Sequence, residues 1–190
     1  MATKVATYKV LGQIATSQSS FSITTKALTS NVATLTTSTT HSLVVGQTVS
    51  VIMTTADAAF DGVRVVVATP TTTTFTFESI NTNVSSVAAT GTATGFEWVT
   101  LYTCPALTSM VSSSLIVLNR GTTAGYYSIA VTNALGEPAV SKLIVKNDLA
   151  AARETVSLTL GLTADETNKY IRVSASNANF TFALFGSEIA

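Results

Sequence analysis

Few residues of this chain have the types and spacing that chemistry requires, and those few are scattered. His41 is the sole histidine, which leaves no metal site of several histidines and no proton relay between two of them within one chain. It stands just before a strand and reads as a turn residue. Asp57 and Asp61 flank Phe60, and Asp165 adjoins Glu166. Either pair could offer oxygens to calcium, yet neither stands in the ligand spacing of a calcium loop, so solvated loop acids are the expectation. Hydrolysis of a glycoside needs two facing carboxylates, and the acids here sit at turns. Serines abound, but none lies in a Gly-x-Ser-x-Gly elbow, and no glycine-rich phosphate loop is present. Cys104 is the only cysteine, so an internal disulfide is excluded; beside Pro105 on an apolar strand face it reads as a buried, inert thiol. Trp98, Tyr102, Tyr126 and Tyr127 could stack against a sugar. Strand alternation turns at least one member of each neighbouring pair inward, which favours the core. No catalytic, cofactor-binding or metal-ligating residue is assigned, no cofactor is expected, and the expectation is a protein that is not an enzyme.

The elements that would position such residues centre on the stretch 98–121. Its first half places Trp98, Thr100, Tyr102 and Cys104 on one face until Pro105 removes a backbone donor and stops the ladder. In its second half Leu115, Val117 and Asn119 alternate with Ile116 and Leu118. Both faces of that strand are apolar, so it is expected to be central. Asn119, Arg120 and Gly121 form the turn that ends it.

The totals bound the rest. In 190 residues, 46% are hydrophobic and only 11% charged, with ten basic and ten acidic side chains giving a formal net charge of zero. An average soluble domain carries about 25% charged residues. Thr and Ser must therefore cover the outside, and such a surface is easily buried against neighbours because no ions need desolvating. No basic stripe exists for phosphate or anionic lipid, so neither nucleic acid nor a membrane is an expected partner. Residues 1–10 lack the apolar core of a secretion signal, which points to a protein kept in the cytoplasm until it assembles.

Along the chain, a short strand is expected over 5–11, followed by a polar linker at 16–20. From Phe21 to about Gly95 the texture is Thr, Ser, Val and Ala with closely spaced turns. Strands are read at 32–37, 48–53 and 63–67. The last of these turns through Thr69-Pro70-Thr71-Thr72 into a return limb at 73–78, and a final strand spans 87–92. These features describe a small β-sandwich, loosely immunoglobulin-like. Beyond Phe96 the strands are bulkier, at 126–131, 142–146 (halted by Asn147-Asp148), 155–160, 170–173 and 180–185. The one helical candidate is 149–154. This is a second antiparallel sandwich of jelly-roll character. The fold class is thus all-β, with two antiparallel β-sandwich domains: residues 1–21 as an arm belonging to the C-terminal domain, 22–95 as an Ig-like insert, and 96–190 as the jelly-roll-like host.

Tyr8-Lys9-Val10-Leu11-Gly12-Gln13, Leu101-Tyr102-Thr103-Cys104-Pro105-Ala106, Leu118-Asn119-Arg120-Gly121 and Leu184-Phe185-Gly186-Ser187-Glu188-Ile189 together resemble a family of short virion structural proteins of tailed bacteriophages, cyanophages included. In that family the opening motif runs almost directly into the Tyr-Thr-x-Pro motif. Here about seventy residues intervene, which resemble the Ig-like inserts of phage surfaces through His41-Ser42-Leu43, Gly46-Gln47-Thr48-Val49 and Phe60-Asp61-Gly62. The resemblance brings no catalytic residues. It implies a surface-exposed accessory part of capsid or tail: a decoration, cement, fibre or neck component assembled in the host cytoplasm. The expected partners are copies of itself, most simply as a trimer, and other virion proteins such as major capsid or tail proteins. The alternative reading is a fibre module that binds a host-surface glycan.

Overall fold

The computed structural model describes residues 6–189, so Val5, read as the start of the first strand, lies outside the described residues. The chain opens with β1 (Ala6–Ala15). There follow β2 (Gln18–Thr29), β3 (Val32–Thr37), β4 (Thr48–Met53), β5 (Gly62–Val65), β6 (Ala68–Thr71), β7 (Thr74–Glu78) and β8 (Val84–Phe96). The remainder holds β9 (Val99–Thr103), β10 (Ser109–Asn119), β11 (Gly125–Thr132), one turn of 3-10 helix (Val140–Lys142), β12 (Leu143–Ala150), β13 (Thr155–Leu158), β14 (Thr163–Ala164), β15 (Tyr170–Ala175) and β16 (Phe180–Ile189). The protein is all-β, with antiparallel sheets throughout. It divides into two compact units, Gln18–Glu97 and the residues on either side of it.

The unit Gln18–Glu97 is one seven-stranded sheet in the order β5-β4-β8-β2-β3-β7-β6. Alternation sends Phe21, Ile23, Leu35, Val49, Val51, Phe75, Phe77 and Ala93 to a single buried face. The sheet curls into a half-barrel, and Val66 and Val67 carry the chain from one margin to the other. Val66 exchanges backbone hydrogen bonds with Gly46 and Gln47 beside β4, while the Val67 N–H donates to the Thr76 carbonyl of β7. That break corrects the expected strand 63–67, which is β5 followed by a crossing. The hairpin turn likewise lies at Thr72 and Thr73, with Pro70 inside β6. A proline is tolerated there because β6 is a margin strand and needs no donor on its outer side.

β2 replaces the expected polar linker. Gln18, Ser19, Ser20 and Phe21 pair with Phe96, Gly95, Thr94 and Ala93, so residues 18–21 and 96 belong to this sheet. The unit boundaries therefore fall after Ser17 and after Glu97, correcting the expected 21/22 and 95/96.

The other unit is a sandwich of two sheets. One has the order β1-β16-β10-β13, with β14 also pairing β10; the other has the order β12-β11-β15-β9. β1 pairs with β16 from Ala6↔Ile189 to Ala15↔Thr181. Between the sheets lie Tyr127, Phe180 and Phe182, whose ring centroids are 6.3–6.4 Å apart, with Leu115, Val117, Ile129, Ile171, Val173 and Leu184. β10 is central in its sheet, as its two apolar faces require. β1 crosses β9 so closely at Gly12 that a Cβ there would overlap the Leu101 carbonyl oxygen. Two expectations fail in this unit. Asn147 does not halt its strand: it takes a left-handed φ of 48°, its N–H bonds the Ser128 hydroxyl at 2.9 Å, and β12 runs on to Ala150. The segment 149–154 is not helical, because Ala150 pairs with Gly125 and Arg153 holds φ 58°.

Candidate functional site

The residues singled out for chemistry are not brought together. Asp57 and Asp61 are engaged in shaping their own loop. Asp61 accepts from the N–H groups of Met53 and Asp57 at 2.6 and 2.7 Å, and Asp57 accepts from the Ala59 N–H at 3.1 Å and from Lys26 Nζ at 2.6 Å. The hydrogen bond from Lys26 holds the Asp57 carboxyl below its usual value. A carboxyl whose folded-state pKa is lowered contributes stability above its unfolded value of 3.8, and that contribution is lost as pH falls through the folded value. Asp57→Asn is therefore expected to lower the urea midpoint at pH 7, with the gap from wild type closing on acidification below about 3.8.

Asp165 Oδ1 accepts from the Thr167 and Asn168 N–H groups at 2.7 and 2.9 Å, and Glu166 Oε1 from the Leu107 N–H at 2.8 Å. All four acids clamp loops; Asp165 and Glu166 are exposed, as solvated loop acids are, whereas Asp57 and Asp61 are partly buried. Among the described residues no three of His, Cys, Asp and Glu converge as a metal site would require.

His41 lies in the connection before β4, as a turn residue would, but it is buried. Its ring meets Phe21 and Phe75 edge-on at centroid distances of 6.2 and 5.8 Å, and both ring nitrogens are buried without a hydrogen-bond partner. Orphaned buried polar atoms cost about 1–3 kcal/mol each, so His41→Phe, which keeps the ring contacts, is expected to raise stability by about 1 kcal/mol in urea denaturation.

Cys104 is buried, its thiol donating to the Thr108 carbonyl at 3.2 Å, and burial pushes its pKa above the ordinary value, so the nucleophilic thiolate is disfavoured. Of the four aromatic candidates, Tyr102 and Tyr127 are buried, their hydroxyls donating to Glu188 and Asp148 at 2.8 Å each. Trp98 is half-buried and donates from Nε1 to Glu137 at 2.9 Å; Tyr126 alone is exposed. Burial raises the Glu137 carboxyl, against the opposing pull of Trp98 and of the Arg172 guanidinium, which itself donates to the Trp98 and Gly136 carbonyls. This cluster pins the loop after β11 to β9 and β15. An open groove of about 380 Å³ is lined by Val131, Ile144, Leu160 and Leu162, with Lys142 bonded to Asn168 at its rim. No acid, base and nucleophile converge on it.

What the sequence reading missed is a surface. The outward rows of the sheet β1-β16-β10-β13 are Ala6-Ile189-Ser109, Tyr8-Ser187-Val111, Val10-Phe185-Ser114, Gln13-Ala183-Ile116-Ser157 and Ala15-Thr181-Leu118-Thr155. None of these residues is charged. Tyr8, Val10 and Val111 are 64%, 55% and 46% exposed. Some outward rows of the other unit are uncharged too, as in Val63-Ser50-Thr94-Ser20 and Ile52-Thr92-Ser22, but its outward pair Val32-Glu78 carries a carboxylate. The signal was present in the strand alternation, but only the pairing register puts these side chains in one plane. No helix among the described residues is long and apolar enough to cross a membrane. No family model matches the chain, and neither a curated protein nor a solved structure matches it.

Proposed function

We propose that the chain is a non-enzymatic structural protein of a tailed-phage virion, a surface-exposed accessory part of capsid or tail that acts by oligomeric assembly. The observation that carries this reading is the uncharged outer face of the sheet β1-β16-β10-β13. A face of methyls, rings and hydroxyls loses little hydration when covered, whereas the desolvation of ions would cost several kcal/mol each. The phage assignment is supported by the motifs around Tyr8, Tyr102, Asn119 and Phe185. A carried module suits the connectivity as well, since Gln18 and Phe96 are cross-strand neighbours and the chain enters and leaves the unit Gln18–Glu97 side by side. The protein is a homo-oligomer that docks on major capsid or tail proteins after synthesis in the infected cytoplasm. Purified protein mixed with particles lacking it should co-sediment with them, and a map of the parent particle should show it in place. A protein that stays monomeric at high concentration and leaves the particles bare would refute the proposal.

A further inference from the structure

Resting on that assembly reading, we infer that a second copy of this chain packs on the outer face of the sheet β1-β16-β10-β13, and that this face, not that of the unit Gln18–Glu97, is the self-association surface. Three observations point to it. First, charge: copies that share one patch bring like residues near like, so a charged row would repel itself, and these rows carry no charge. Second, extent: three long strands and a short one, about 4.8 Å apart and rising about 3.3 Å per residue, give a face of roughly 550 Å². Two such faces bury about 1,100 Å², just above the roughly 1,000 Å² that a specific interface should clear.

Third, the face ends at an open edge. Among the described residues β1 pairs with β16 alone, and all five side chains at 6–10 are exposed, Tyr8 and Val10 among them. An uncovered strand of this kind attracts further pairing unless something covers it. Lys9 guards only the inner side, where its Nζ holds Glu188 at 2.5 Å. Tyr8, Val10, Phe185, Ile116, Leu118 and Val111 thus set apolar side chains on this face from the open edge to the middle of the sheet, with Ser187 and Ser114 among them.

The test is sedimentation velocity across a concentration series for wild type, Tyr8→Glu, Val111→Glu and, as a control on the other unit, Ile52→Glu. The three positions are exposed, at 64%, 46% and 65%, so the fold tolerates a charge at each, and circular dichroism checks it. Wild type and Ile52→Glu should associate alike, while Tyr8→Glu and Val111→Glu weaken association by tenfold or more. Mixing Val111→Glu with Val111→Lys should restore part of it. If both face variants associate like wild type, the inference falls while the assembly reading stands. A monomeric wild type that still binds particles likewise overturns the inference alone, and one that binds none overturns both.

Discussion

Gly12→Ala is expected to destabilise the unit built from β1 and β9–β16 by about 3 kcal/mol, which corresponds to a fall of roughly 10 °C in its thermal midpoint. The added methyl would overlap the backbone oxygen of Leu101, with Leu101 carbon at 3.1 Å. Backbone cannot step aside as a flexible side chain can, so either β1 lifts from β9 or the ladder to β16 bends. Both routes disturb the same core, because Gly12 pairs with Leu184, whose side chain is fully buried. Gly136→Ala is the control: nothing lies within 4 Å of a Cβ at that position, and its effect should stay within about 0.5 kcal/mol. Differential scanning calorimetry of the two variants separates a specific clash from a general cost of losing glycine.

The second large effect is expected at Asn119, fully buried at the end of β10. Its amide donates to the carbonyls of Thr123 and Ala151 at 2.9 Å each and of Ala150 at 3.3 Å, and its side-chain oxygen accepts from the Gly121 N–H at 2.9 Å. One side chain thus ties the turn after β10 to the end of β12. Asn119→Leu fills the same space but leaves the buried Gly121 N–H and Ala150 carbonyl without their partner and unties the part-buried Thr123 and Ala151 carbonyls. A loss of about 3 kcal/mol in urea denaturation is expected, and Asn119→Ala should lose at least as much through the added cavity.

How much of this was legible depended on whether a strand's partners left a trace in its own residues. β10 was legible because Leu115 and Val117 face one way and Ile116 and Leu118 the other, a pattern only a central strand can bury. β3 and β4 were legible from simple alternation. β2 was not: its outward positions are Ser and Thr, and bulges between Ile23 and Thr25 and between Lys26 and Leu28 break its period. The Asn147-Asp148 pair imitates a stop signal because asparagine readily takes a left-handed φ; here it bulges the ladder and lets it continue. The run 149–154 offers good helix formers, but Ala150 is claimed by its partner Gly125, and tertiary pairing outweighs so short a propensity. At the candidate site, the acids could be found in the sequence but not their work, since their partners are backbone N–H groups that any residue supplies and, for Asp57, a lysine 31 residues away. The uncharged face was hidden for a related reason: its members come from four strands spread from Ala6 to Ile189 and share a plane only through register.

The pairing of Ala6 with Ile189 also dictates an order of events during synthesis. β16 is the inner neighbour of both β1 and β10, so that sheet cannot close until the last described strand has left the ribosome. Residues 18–97, contiguous in the chain, can be finished long before, because closing a local stretch costs less chain entropy than joining distant strands. β1 therefore waits as an unpaired strand while the residues between it and β16 are made. The folded middle keeps that wait from being a search over the full contour length: with Gln18 already beside Phe96, β1 is held within a few residues of β9 before its final partner exists.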